Sequence, residues 1–364
     1  MFTALLVIGI LVFLIVVHEL GHFVAAKFFG LRVEEFGVGY PPRALFIGKW
    51  GGTEYTLNWI LFGGFVRIFG DDGTQGSTHA DPSRFSNASK KAQATVLVAG
   101  VLMNTLAAWF LITGALTLGI PRPATDGDTS AHLMIANTIA RSPAEVAGLR
   151  AGDIIIALES GDLRIDSDLT PSAMAEFVQT RGGENITVFY ERGVEAGEVI
   201  VQPAHAVISE ESGRVAIGVE LALITDSALG FFAATKEGAY RTLGMFKAVG
   251  QGFWSVVFGA LQGEPAWREL VGPVGIVGVV SQASTQGAGY VLLLTAFISV
   301  NLAIINLIPI PALDGGRLAI LGYEAVRGRR ISHLAMRIFS MIGVVIIALL
   351  IITVTYQDIV RLIG

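Results

Sequence analysis

The sequence predicts a multi-pass α-helical membrane protein of about four transmembrane helices, carrying one α+β domain outside the bilayer. Three observations predict it. The 364 residues are 52% hydrophobic and only 15% charged, with a mean hydropathy of +0.63, whereas soluble domains are about 25% charged. Several stretches reach the ~20 apolar residues that a bilayer-crossing helix needs. Between two of them, a long segment returns to the mixed polar composition of a folded domain. A net charge of −5 leaves no basic footprint, so nucleic acid is not expected as a partner. The chain has no cysteine, which excludes thiolate metal sites, iron–sulfur clusters, disulfides and cysteine nucleophiles.

The first element, residues 1–30, runs apolar from Phe2 to Val17 and continues through His18-Glu19-Leu20-Gly21-His22 to Phe29. It lacks the basic leader and small-residue cleavage site of a signal peptide and reads as a retained span. Residues 31–92 form a connection in which Tyr55, Leu57 and Trp59 alternate with Thr56 and Asn58, a strand pattern. The second span is 93–119, with its apolar centre from Thr95 to Leu118. Residues 120–222 read as the soluble α+β domain, with a helix over Met174–Gln179 and strands over Ile186–Tyr190 and Glu198–Gln202.

In residues 223–289, Phe232, Tyr240, Leu243, Phe246, Phe253 and Val257 recur at helical spacing with Lys236, Glu237, Arg241 and Lys247 between them. That pattern predicts an amphipathic helix on the membrane surface, followed by Gly272-Pro273-Val274-Gly275-Ile276. The third span, 290–316, is apolar from Tyr290 to Ile308 and is then broken by Pro309, Pro311, Gly315 and Gly316. Residues 317–334 read as a basic loop, and 335–358 as the fourth span around Ile338–Val354.

Lys and Arg set the expected orientation. The connection between the first two spans holds Lys27, Arg32, Arg43, Lys49, Arg67, Arg84, Lys90 and Lys91. The one before the last span holds Arg317, Arg327, Arg329, Arg330 and Arg337. Both are expected on the cytoplasmic side, with the middle domain extracytoplasmic.

The chemistry centres on the first span. His18 and His22 are four residues apart, so on a helix they share a face about one turn apart. Both imidazoles can then reach one zinc ion while Glu19 holds the attacking water. Two histidines and a glutamate in an apolar span are costly unless partnered, and a cation supplies the partner. A catalytic zinc site needs a third ligand, here His, Asp or Glu. Glu34 and Glu35 are nearest in sequence, but Asp314 sits at a broken helix, where backbone lines a cavity or site. Glu324 is its rival, next to a basic run that offers it a plain ion pair.

His-Glu-Leu-Gly-His at 18–22, with Asn306-Leu-Ile-Pro-Ile-Pro-Ala-Leu-Asp314-Gly-Gly, resembles the site-2 protease family of intramembrane zinc metalloproteases, nearest its bacterial regulator-of-sigma-E type. Gly63-Gly64-Phe65-Val66, Ala99-Gly100…Asn104 and Gly272–Ile276 agree, so the resemblance covers nearly the whole chain. It implies one zinc held by His18, His22 and Asp314, with Glu19 activating water and Asn301 and Asn306 handling the substrate backbone. It also implies that residues around Glu54–Phe69 form a membrane-reentrant β-hairpin. There Gly63 and Gly64 let a substrate strand approach.

The stretch from Ile139 to Ile155 resembles the core of a bacterial PDZ domain, with His132–Ile139 expected as the strand facing a peptide. The implied partners are a single-pass membrane-protein substrate such as an anti-sigma factor or remnant signal peptide, a peptide tail at the PDZ-like domain, and the bilayer itself. The implied location is the bacterial cytoplasmic membrane, with an extracytoplasmic cut preceding the one made here. One departure is Gly100-Val-Leu-Met-Asn104, where the family often has proline after the glycine. Another is length for only one PDZ-like module. A non-catalytic scaffold using that module to hold peptides is the alternative class; the presence of Glu19 with all three expected ligands argues against it.

Overall fold

A computed structural model describes residues 2–70, 81–124, 131–193, 195–205, 215–263, 272–329 and 331–363. Arg330, one of the basic cluster, lies outside them. The chain divides into two compact units, one from Met1–Leu118 and Leu229–Gly364, the other from Gly119–Ala228.

The first unit begins with α1 (Phe2–Phe28), followed by β1 (Val33–Trp50), β2 (Thr53–Ile68) and α2 (Lys90–Thr117). Ser89 caps α2, its hydroxyl accepting from the Ala92 amide at 3.2 Å. Gly21 is where α1 and α2 cross: a Cβ there would strike the Ala99 carbonyl, so only glycine lets the backbones come this close. The same face of α1, nearer its start, carries Val7, Ile10 and Leu14, all buried in one cluster with Val280.

The expected hairpin is more elaborate than two strands. Both β1 and β2 are bent, and each pairs twice, so residues 33–38 lie between 64–68 and 54–58, and 54–58 lies between 33–38 and 43–50. The result is a four-segment sheet in which 33–38 and 54–58 run in the same direction and the two outer pairings are antiparallel. Pro41 and Pro42, which have no amide hydrogen to donate, stand at the bend of β1. Glu35 fastens the layers: Arg43 and Arg67 each reach its carboxylate at 3.0 Å, and Thr56 donates at 2.8 Å.

The second unit holds β3 (Arg122–Pro123), β4 (His132–Thr138), α3 (Pro143–Val146), β5 (Ile154–Ser160), β6 (Leu163–Ile165), α4 (Pro171–Gln179), β7 (Ile186–Arg192), β8 (Glu195–Val201), β9 (Ala204–His205), β10 (Val215–Ala216) and β11 (Val219–Thr225). Its main sheet runs β3-β11-β4-β5-β7-β8, with β6 on β5, around a core of Leu133, Ile135, Leu158, Met174, Phe177, Ile186 and Val188. Alternate residues of β4 and β7 enter that core, the period of a strand with one buried face. Arg192 clamps the buried Asp153 carboxylate at 2.7 and 2.8 Å and also donates to the Gly148 carbonyl. Because Asp153 is fully buried, removing Arg192 would leave an unpaired charge in the interior, which costs more than losing an exposed pair.

The strand expected to face a peptide, 132–139, is covered unevenly: β4 pairs with β11 over 132–138 on one side and with β5 at Leu133 and Met134 on the other. Among the described residues, β3, β6 and β8 each pair on one side.

The first unit resumes with α5 (Phe231–Leu261), α6 (Pro273–Gln286), α7 (Ala288–Leu307), α8 (Asp314–Arg327) and α9 (His333–Ile363). The amphipathic segment is α5, and it packs against α2: the Trp109 indole donates to the Thr235 carbonyl at 2.9 Å, and Gly238 sits on Thr113. The expected loop 317–334 is mostly helix, α8, which starts with Asp314 and ends where Gly328 takes the left-handed conformation (φ 68°). Among the described residues, α1, α2, α7 and Leu334–Arg361 of α9 are long and apolar enough to cross a membrane. The buried Asp358 of α9 accepts from the Gly272 and Gly275 amides at 3.1 and 2.8 Å, so the first turn of α6 supplies partners for its charge.

Candidate metal centre

The Pro-Gly-rich break after α7 brings Asp314 to α1. Gly315 lies under the Leu307 and Ile308 carbonyls and Gly316 under that of Ile310, positions where any Cβ would strike backbone. The two glycines therefore let the chain fold back on itself, and Asp314 opens α8 facing the histidines. Its Oδ2 is 3.0 Å from His18 Nε2 and 3.2 Å from His22 Nε2. The two Nε2 atoms are 3.1 Å apart. Among the described residues, this is the group of three His, Cys, Asp or Glu side chains placed to hold a metal.

The surroundings fit a cation. His22 Nδ1 is 2.8 Å from the Val96 carbonyl, which can only accept, so Nδ1 carries the proton and Nε2 offers its lone pair. Gly100 of α2 leaves the space beside the rings: a Cβ there would lie 2.6 Å from His18 Cε1 and His22 Nε2 and 2.8 Å from His18 Nε2. Two imidazole nitrogens and a carboxylate oxygen converging on one point are a borderline-soft donor set suited to zinc.

A cavity of about 420 Å³ opens onto the triplet and is lined by Glu19, Gly63, Gly64 and Asn306 among others. Gly64 lies against α1, where a Cβ would be 2.8 Å from Ile15 and 3.2 Å from Glu19 Cγ. Gly63 lies under the Tyr40 ring. Asn301 does not line this cavity; its amide donates back to the Phe297 carbonyl of its own helix at 2.8 Å. Glu35 is engaged by Arg43, Arg67 and Thr56. Glu324 holds Lys90 of α2 at 2.5 Å and accepts from the Ile331 amide at 2.9 Å, so this ion pair ties two helices. Tyr40 and Arg317 also line the cavity, and sequence reasoning passed over both. Gly100 was legible only as part of a motif, not as the space beside the rings.

The profile described as peptidase family M50 matches residues 6–350. A protein of Clostridium acetobutylicum is 31% identical over 359 residues, covering 98% of this chain and 97% of its own. One of Clostridium perfringens is 32% identical over 351 residues, covering 95% of each. Both bear the name "putative zinc metalloprotease". The PDZ domain of an SdrC-like protein from Listeria monocytogenes aligns at 16% identity and a TM-score of 0.22, over 26% of this chain and 90% of that one; at such a score the likeness carries no weight.

Proposed function

The chain belongs to peptidase family M50, the site-2 protease family, and is a metalloprotease; from that premise and the convergence of His18, His22 and Asp314 we propose that it hydrolyses peptide bonds inside the membrane-spanning segments of other proteins, with one zinc per chain. The observation that carries the reading is the convergence of that triplet, with Glu19 in the same cavity, at α1, a helix apolar enough to lie in a bilayer. Bound zinc would acidify a water and polarise the scissile carbonyl. Glu19 would take the water's proton as the water oxygen bonds to the carbonyl carbon, and return it to the amine as the C–N bond breaks. Asn306, at the cavity wall, is positioned to hold the substrate backbone.

A transmembrane substrate must be unwound before it can be cut. Among the described residues, the segment 64–68 pairs on one side only, with 33–38, and lines the cavity, so an extended substrate has an edge to pair with. Leu45, Phe46, Ile47, Trp59 and Ile60 are all about half exposed or more, as suits a sheet dipping into lipid. The substrates that fit are single-pass membrane proteins such as anti-sigma factors or remnant signal peptides. The second unit, on the extracytoplasmic side of the bacterial cytoplasmic membrane, then meets the substrate's tail and favours one already trimmed.

Purified chain is expected to carry close to one zinc, and a chelator to stop cleavage of a membrane-segment peptide until zinc is restored. Full cleavage by metal-free chain would contradict the reading. Orientation is tested by Ser167→Cys and Arg329→Cys, both at exposed positions in a chain without native cysteine. An impermeant thiol reagent applied to intact spheroplasts should label the first and not the second. The opposite pattern would invert the topology.

A further inference from the structure

Asn104 lies on α2 one turn beyond Gly100, with its side chain fully buried beside His18. Its Nδ2 is placed 3.3 Å from His18 Nδ1, and its backbone carbonyl is held by the Ser299 hydroxyl of α7 at 2.8 Å. An amide has two ends of nearly equal size, so its partners decide which end faces the ring. With the NH2 end inward, Nδ1 must accept, and the ring proton moves to Nε2. That nitrogen is 3.0 Å from Asp314 Oδ2 and 3.1 Å from His22 Nε2, so the proton would stand in the centre of the triplet. The same orientation leaves the amide oxygen buried without a hydrogen-bond partner. His22 shows the complementary arrangement, its Nδ1 facing a carbonyl that can only accept.

Building on the zinc reading above, we propose that Asn104 is the positioning residue of His18. Its Oδ1 accepts from Nδ1–H and holds the ring in the tautomer whose Nε2 lone pair faces the metal. The two imidazoles are then oriented from the same helix, His22 by the Val96 carbonyl and His18 by the Asn104 amide eight residues on. The Ser299 bond fixes the α2 backbone at that point, so the amide is held in place by α7 as well.

The test is the zinc affinity of the full chain in detergent, read by chelator competition. Asn104→Leu keeps the volume and removes the acceptor, and should weaken zinc ~10–100-fold, the usual effect of losing such an outer partner. Asn104→Asp has only acceptors at this position and should stay close to wild type. Melting of the zinc-free proteins reports whether either variant is misfolded. In zinc-loaded wild type, the 15N resonance of His18 Nδ1, identified by its loss in His18→Gln, should be that of a protonated nitrogen. Wild-type affinity in Asn104→Leu, equal loss in Asp and Leu variants that melt normally, or an unprotonated Nδ1 would each overturn the proposal. Failure of wild type to take up zinc at all would instead overturn the metalloprotease site, a result that is read separately.

Discussion

Glu19→Gln should abolish cleavage while zinc stays bound, whereas His22→Ala and Asp314→Ala should lose both. Glu19 lines the cavity but is not one of the three converging ligands. Replacing its carboxylate removes the proton acceptor and donor, a step worth ~10²–10⁴-fold in rate, without touching a donor atom. Asp314 Oδ2, by contrast, is within 3.2 Å of both Nε2 atoms, and its loss leaves two imidazoles where a catalytic site needs three ligands. Glu324→Ala is the control. It should keep zinc, because Glu324 is occupied by Lys90 and the Ile331 amide, and should lower the melting temperature by loosening α8 from α2. Zinc content by atomic spectroscopy beside cleavage of a membrane-segment peptide reads all four. Zinc retained in Asp314→Ala but lost in Glu324→Ala would move the third ligand to Glu324.

The second large effect is expected from the smallest substitution. Gly100→Ala puts a methyl group 2.6 Å from His18 Cε1 and His22 Nε2, closer than carbon atoms tolerate, so the rings must move. They have little freedom to do so, because His22 is tied to the Val96 carbonyl on that same helix and His18 lies against Asn104. Zinc affinity should fall by ~100-fold or more, at or beyond the upper range for changes outside the ligands themselves. Gly114→Ala, on the same helix, meets only Leu292 Cδ1 at 3.4 Å and should be neutral. Competition titrations on the two variants separate a local effect at the rings from a general effect of alanine in α2. Unchanged affinity in Gly100→Ala would mean that the rings stand elsewhere in the working protein.

Some of this was readable without a structure because the physics involved is local. A helix repeats every 3.6 residues, so His18 and His22 had to share a face with Glu19 beside them. Apolar length alone marked α1, α2, α7 and α9 as able to cross a bilayer. The two asparagines of α7 are not separated in this way: both are expected at the substrate, and the structure puts Asn306 at the cavity while Asn301, about 140° round the helix, bonds back to Phe297. Pro309, Pro311, Gly315 and Gly316 announced a break.

What the break does was decided by tertiary structure. Asp314 is 296 residues from His18, and the fold-back that joins them depends on Gly315 and Gly316 admitting carbonyls that no side chain would. Alternation identified strand near Tyr55–Trp59 but could not show that β1 and β2 each bend and pair twice, since strand register depends on partners rather than on the strand itself. For the same reason alternation could not show that β11, some eighty residues later, pairs with β4. The sequence by itself determined the donor types, their spacing on α1 and the apolar helices that carry them. The third ligand's approach, the space left by Gly100 and the partners of Glu35, Glu324 and Asp358 were decided only by packing, because each depends on atoms brought close from distant parts of the chain.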